Sequence, residues 1–154
     1  MRITVAEPAS TETARPGPPS RPKVIYILGA GRSGSTILGV ALGNCENVFF
    51  AGELDKWLTQ SGRPTLDDPE RVRFWNEVHT QVNGAEQLFG HQARCLERSS
   101  TVFDPRKWAA RRRLRAEYRR VAEALYMAIA DVTRATTIVD SSHYPLRARE
   151  LQRL

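Results

Sequence analysis

The chain has 154 residues, 41% of them hydrophobic, and carries 23 basic against 17 acidic side chains for a net charge of +6. That is enough material for one core but not two, and the basic balance suits an anionic ligand without singling out nucleic acid from a phosphorylated small molecule. Two cysteines, Cys45 and Cys95, match no metal-ligand spacing and form no disulfide framework. No apolar run approaches the length of a membrane span or the core of a signal peptide, so the sequence predicts a cytoplasmic protein with no membrane association.

Residues 1–22 hold five of the nine prolines among small and polar residues, and they predict a flexible tail ahead of a domain over 23–154. The domain opens on KVIYILGAGRSGSTILGVAL, residues 23–42. A β-branched run predicts a strand, Gly29, Gly31 and Gly34 punctuate a loop, and apolar residues at helical spacing predict a helix over about 35–43. Strand, glycine loop and helix N-terminus together make an anion site, because unpaired first-turn amides and the helix dipole point at whatever sits in the loop.

Further along, residues 48–51 predict a second strand that delivers Gly52 and Glu53 at its C-terminal end, the place where α/β sheets put their chemistry. A short helix is expected over 54–58, a loop over 61–69, and an amphipathic helix over 70–82 from the spacing of Val72, Trp75, Val78 and Val82. Residues 84–105 show no period and read either as a lid or as a surface connection. Asp104 as cap and Pro105 in the first turn open the longest predicted helix, to Thr133, whose arginine-rich first half reads as a solvated face. Residues 136–139 predict a third strand ending in Asp140, followed by a turn and a last helix from Pro145 that runs to Leu154.

GAGRSGST, residues 29–36, satisfies two phosphate-binding patterns formally. As G-x-G-x-x-G it matches the dinucleotide fingerprint, with Glu53 near the distance of a ribose-binding acid, but that motif needs no charge and here Arg32, Ser33, Ser35 and Thr36 fill the loop. As G-x-x-x-x-G-K-[ST] it places Thr36 correctly and Ser35 where the lysine must stand, which argues against ATP or GTP hydrolysis even though Asp140 ends an apolar strand in the manner of a magnesium-holding aspartate.

A third pattern accounts for the basic residue. GAGRSGSTIL resembles the 5′-phosphosulfate loop of sulfotransferases that use 3′-phosphoadenosine 5′-phosphosulfate (PAPS), whose patterns include R-S-G-[ST]-T, matched by residues 32–36. VFFAGELDKW and TTIVDSSHYPLRARELQRL resemble two further segments of the bacterial and tyrosylprotein-type members, and Phe74 with Trp75 is a fainter echo. The resemblance covers residues 23–154 and implies an α/β fold of the P-loop-NTPase-like three-layer type, with a parallel sheet that this chain, as the N-terminal part of such a domain, leaves unfinished.

The activity implied is transfer of a sulfuryl group from PAPS to a hydroxyl on a small molecule or peptide, with PAP as product and no metal. Gly31, Arg32, Ser33, Gly34, Ser35 and Thr36 are then the cofactor-binding loop, Arg32 also the residue that stabilises the departing phosphate, and Glu53 the base. From residue type alone Glu53 is equally a helix N-terminal acid, and Asp140 and its serines an Asx or Ser cap. The resemblance adds Ser141 and His143 to the donor site, His143 standing where related sequences carry a lysine in D-S-S-K. It also implies that the 3′-phosphate is held by an arginine and a serine from a later strand, beyond Leu154, so that association with another chain is one way to complete the site. The competing readings are a nucleotide phosphotransferase, a dinucleotide-binding protein, and a non-catalytic chain whose arginine-rich helix is a basic interaction surface; nucleic acid is the less favoured partner.

Overall fold

The computed structural model describes residues 21–30, 32–54, 69–82, 94–97 and 99–153. Three parallel strands form the sheet: β1 (Lys23–Tyr26), β2 (Val48–Gly52) and β3 (Thr137–Asp140), in the order β1-β3-β2. Helices α1 (Ser35–Gly43), α2 (Pro69–Gln81), α3 (Arg94–Glu97), α4 (Pro105–Thr133) and α5 (Pro145–Leu151) fill the connections. The protein is therefore α/β, with a small parallel sheet and mostly helix around it. The last of these strands in sequence is the central one, so the first two do not pair with each other and both read their register from β3.

That register brings the functional ends level. Tyr26 and Gly52 both lie opposite Asp140, and between Phe50 and Gly52 the pairing slips by one residue, a bulge that absorbs Ala51. Strand polarity is the same throughout, so all three C-terminal ends open on one edge.

The two sheet faces are covered differently. Ile138 at the centre of β3 joins Leu125, Ile129, Ala122, Tyr118 and Val121 of α4 in the main core, with Val24 and Phe49 packed against it. Alternation turns Phe50 to the other face, under α1. There Gly39 is needed for space: a Cβ on it would meet the Phe50 ring at 2.2 Å. The rest of α1 is less covered, with Ile37, Leu38 and Val40 exposed.

Helix α4 starts as its sequence signals. Asp104 accepts a bond from the Arg106 amide at 3.1 Å and Pro105 occupies the first turn. The arginine-rich half departs from the expectation of a wholly solvated face. Arg112, Arg113 and Arg120 are exposed, but Arg111 is buried and donates to the Cys95 carbonyl and the Thr101 hydroxyl. Arg115 and Arg119 reach Glu150 of α5 at 3.1 and 3.2 Å. Helix α5 ends at Leu151, short of the expected Leu154, with the Gln152 amide closing back on Ala148.

One buried charge pair ties α3, α4 and α5 together. Arg147 stands 2.7 Å from Glu97, both almost fully buried, and the Tyr118 hydroxyl donates to the same Glu97 oxygen at 3.1 Å. Burial works against the Arg147 charge, but Tyr118, Glu97 and Asp140 around it outweigh that and hold its pKa above the ordinary arginine value. The expected 54–58 helix beyond Leu54, the expected 61–69 loop up to residue 68 and most of the 1–22 tail lie outside the described residues. So does part of the 84–105 stretch, whose described portion includes α3 and a 3-10 turn at Ser99–Thr101.

Removing one member of such a pair strands the other charge in the interior, whereas removing both does not. Arg147→Met is expected to lower unfolding free energy by about 3–5 kcal/mol. In urea titrations the double variant Arg147→Met with Glu97→Gln should recover a large part of that loss. If the double variant is no more stable than the single one, the pair is not the source of the effect.

Candidate functional site

Four segments meet the sheet edge where the strands end: the loop after β1, the N-terminus of α1, Glu53 after β2 and residues 141–143 after β3. The loop turns tightly. The Ser33 amide donates to the Ala30 carbonyl at 3.1 Å, and both Arg32 (φ 64) and Gly34 (φ 83) adopt the left-handed conformation. Glycine does this freely; arginine does it at a cost of order 1–3 kcal/mol, a strain of the kind that collects at ligand sites. The Arg32, Ser33 and Thr36 side chains are exposed and Ser35 is half-buried. Gly34 is the N-cap of α1 and, being glycine, offers no side chain to cap that end. The first-turn amides are thus left directed toward the loop, with the helix dipole behind them. Gly31, the remaining loop residue expected at the site, lies outside the described residues.

The end of β3 is built as a rigid platform. Asp140 is completely buried; its two carboxylate oxygens accept from the Tyr126 hydroxyl at 2.7 Å and from the Ser142 amide at 2.8 Å. The second bond is an Asx turn, where the residue types suggested an Asx or Ser cap for the last helix. It does not cap α5, whose N-cap is Tyr144 with no side-chain bond. With both oxygens committed and no exposure, Asp140 is poorly placed to hold a magnesium ion. The Ser141 amide donates to the Gly52 carbonyl at 3.0 Å and the Ile27 amide to the Asp140 carbonyl at 2.8 Å, which pins the exits of all three strands to one another. The Tyr26 hydroxyl then clips residue 144, donating to its carbonyl and accepting from its amide, each at 3.2 Å.

On this platform His143 meets Glu53. The imidazole Nε2 is 3.8 Å from a Glu53 carboxylate oxygen, and both side chains are partly exposed, at 33% and 26%. Bonds from two different strand ends bring together two residues ninety positions apart, which the sequence expected separately as base and as donor ligand. Ser141 and Ser142 are buried, the latter with its hydroxyl lacking a hydrogen-bond partner in the structure, so of the expected polar residues after β3 only His143 reaches solvent.

Beside the loop, Thr36 also borders a cleft of 610 Å³ between α1, β2 and α2. Its floor is aromatic: Phe49 and Phe74 pack with ring centroids 5.1 Å apart, and Trp75 stands edge-on to Phe74 at 4.9 Å. Glu70 and Arg71 line it as well. Among the described residues no group of acidic, histidine or cysteine side chains is arranged to hold a metal, and no helix is long and apolar enough to cross a membrane.

The tyrosines of the platform give it a pH signature. Burial raises the pKa of Tyr26, Tyr118 and Tyr126 above the ordinary tyrosine value, and nearby Asp140 adds to this for Tyr26 and Tyr126, as Glu97 does for Tyr118. A raised folded-state pKa means the unfolded chain releases these protons first. The stabilisation is complete below the free-tyrosine pKa of about 10 and declines as pH rises beyond it, by up to about 1.4 kcal/mol per pH unit for each such group. Ultraviolet titration should show these phenols ionising together with unfolding; their smooth ionisation near pH 10 in the folded chain would contradict the buried arrangement. Comparisons with protein-family models, with curated proteins and with solved structures find no match, so the function of this edge is argued from its own residues.

Proposed function

We propose that the chain carries the donor-binding and base-bearing part of a PAPS-dependent sulfotransferase with a P-loop-like fold. The observation that carries the reading is the convergence of a strained, arginine-bearing loop, an uncapped helix N-terminus and a Glu53–His143 pair at one edge of a parallel sheet. Resemblance of residues 32–36 to R-S-G-[ST]-T chooses the phosphosulfate loop over the dinucleotide turn. The missing loop lysine and the fully engaged Asp140 count against a nucleotide triphosphatase.

PAPS, when bound, supplies a sulfuryl group on a good phosphate leaving group. Of the loop expected to hold the 5′-phosphate, the amides of residues 34–36 at the α1 N-terminus, with the Ser35 and Thr36 hydroxyls, are the groups best placed for it, since the Ser33 amide is turned to the Ala30 carbonyl. Arg32 neutralises charge on the phosphate oxygen as its bond to sulfur breaks. Glu53 takes the proton of the acceptor hydroxyl as that oxygen forms the new bond to sulfur, and the electron pair of the broken S–O bond leaves on PAP. His143 stands 3.8 Å from the Glu53 carboxylate, a neighbour of the base as well as a candidate donor contact from its place in the turn.

The reading includes completion of the site by further structure. In the described sheet β1 and β2 are both edge strands, and Ile37, Leu38 and Val40 present apolar area beside them. The 3′-phosphate site and the acceptor belong to that completion.

Binding tested by calorimetry against PAP, ATP and NAD should favour PAP, and Arg32→Ala should weaken PAP at least tenfold, in line with loss of a charge-assisted contact. A preference for ATP or NAD would replace this reading with one of its rivals. In a complete enzyme, Glu53→Gln is expected to slow sulfuryl transfer on the order of 10²–10⁴-fold with PAP affinity retained. Transfer at the unaltered rate would remove Glu53 from the role of base.

A further inference from the structure

A second basic site lies away from the loop. Between the first half of α4, the segment before it and α5 there is a pocket of 380 Å³ lined by Val102, Trp108, Arg111, Arg112, Arg115 and Arg149. Among the described residues that line it, four of six are arginines and none is acidic. It stands roughly 20 Å along α4 from Tyr126, which marks the sheet edge, at the helical rise of ~1.5 Å per residue.

The charge there is only partly compensated, by Glu150 beside Arg115. Arg111 is buried, yet its bonds go to a carbonyl and a hydroxyl rather than to a carboxylate. Arg115 shares Glu150 with Arg119, two guanidinium groups on one acid. Arg112 and Arg149 are exposed and have no ion-pair partner among the described residues. Guanidinium groups held this close repel one another, and a buried one without a carboxylate carries a desolvation cost that an anion in the pocket would offset. The wall is fixed as well. Trp108, 57% exposed, is held by its indole N–H, which donates to the Val102 carbonyl at 2.7 Å. A solvated helix face would show long side chains spread into water; here a tethered indole and a buried arginine form a concave surface.

We propose that this pocket binds a compact polyanion, a small molecule bearing two or more phosphate or carboxylate groups, with Arg112 and Arg149 as its exposed clamps and Arg111 as its fixed base. The volume suits a small ligand rather than a polymer. Arginine forks match phosphate and carboxylate oxygens in pairs, and Trp108 borders the ligand closely enough to report on it. The proposal does not depend on sulfuryl transfer at the loop.

The test is titration of the full chain with tripolyphosphate and, separately, citrate, followed by tryptophan fluorescence and calorimetry, with the better ligand telling phosphate from carboxylate. One of them should bind and change the fluorescence. Trp108→Phe should abolish that change, and Arg112→Glu with Arg149→Glu should raise Kd at least tenfold while circular dichroism stays unaltered. Arg112→Gln with Arg149→Gln should weaken binding in the same direction, and Arg32→Ala should leave it intact. The proposal is overturned if neither anion binds, if the charge-reversed chain binds as well as the original, if only Arg32→Ala destroys binding, or if a single-stranded RNA binds where both compact anions fail.

Discussion

The Asp140 carboxylate is the contact on which the rest of the site depends. It lies at the C-terminal end of the central strand, fully buried, and it serves two masters: the Tyr126 hydroxyl from α4 and the Ser142 amide in its own turn. The first bond anchors the strand end to the long helix. The second bends the chain so that the next residue, His143, comes back over the sheet edge toward Glu53. Because β3 pairs with both β1 and β2, a shift at Asp140 would be felt at Ile27 and Gly52, whose backbones are bonded to residues 140 and 141. A buried carboxylate is costly unless its oxygens are satisfied, and here both are.

Around this junction the molecule divides its polar groups by task. The interior ones are structural: Arg147 with Glu97 and Tyr118 joins three helices, and Glu150 gathers two arginines of α4. Those left open stand at the sheet edge, in the Arg32 to Thr36 loop and the Glu53–His143 pair, and in the basic pocket by Trp108. Two separate anion-compatible surfaces on one small chain are consistent with its net charge of +6.

Local features were legible in the sequence. The bounds of α1, the β2 segment, the capped start of α4 and the amphipathic α2 follow from periodicity and from Gly34, Asp104 and Pro105, all interactions within a few residues. The full strand order was not: a place for the third strand beside the first could be expected, and β3 does pair with β1, but nothing in the β-branched run at 137–139 says that it inserts between two earlier strands. The arginine run misled for a related reason. Its composition suits a solvated face, and the arrival of Glu150 from α5, of Thr101 from the preceding turn and of the Cys95 carbonyl from α3 draws Arg115, Arg119 and Arg111 inward. Glu97 gave no signal, sitting in a stretch without period, and neither did the meeting of Glu53 with His143, which depends on two strand ends brought level by register.

The central claim is that the loop, Glu53 and His143 act as one donor site at the sheet edge. The most direct measurement is an amide NMR titration of the isotopically labelled chain with PAP. The account predicts that the largest shifts fall together on residues 33–36, Glu53 and His143. Shifts confined to the Trp108 and Arg149 surface, or none at all, would contradict it.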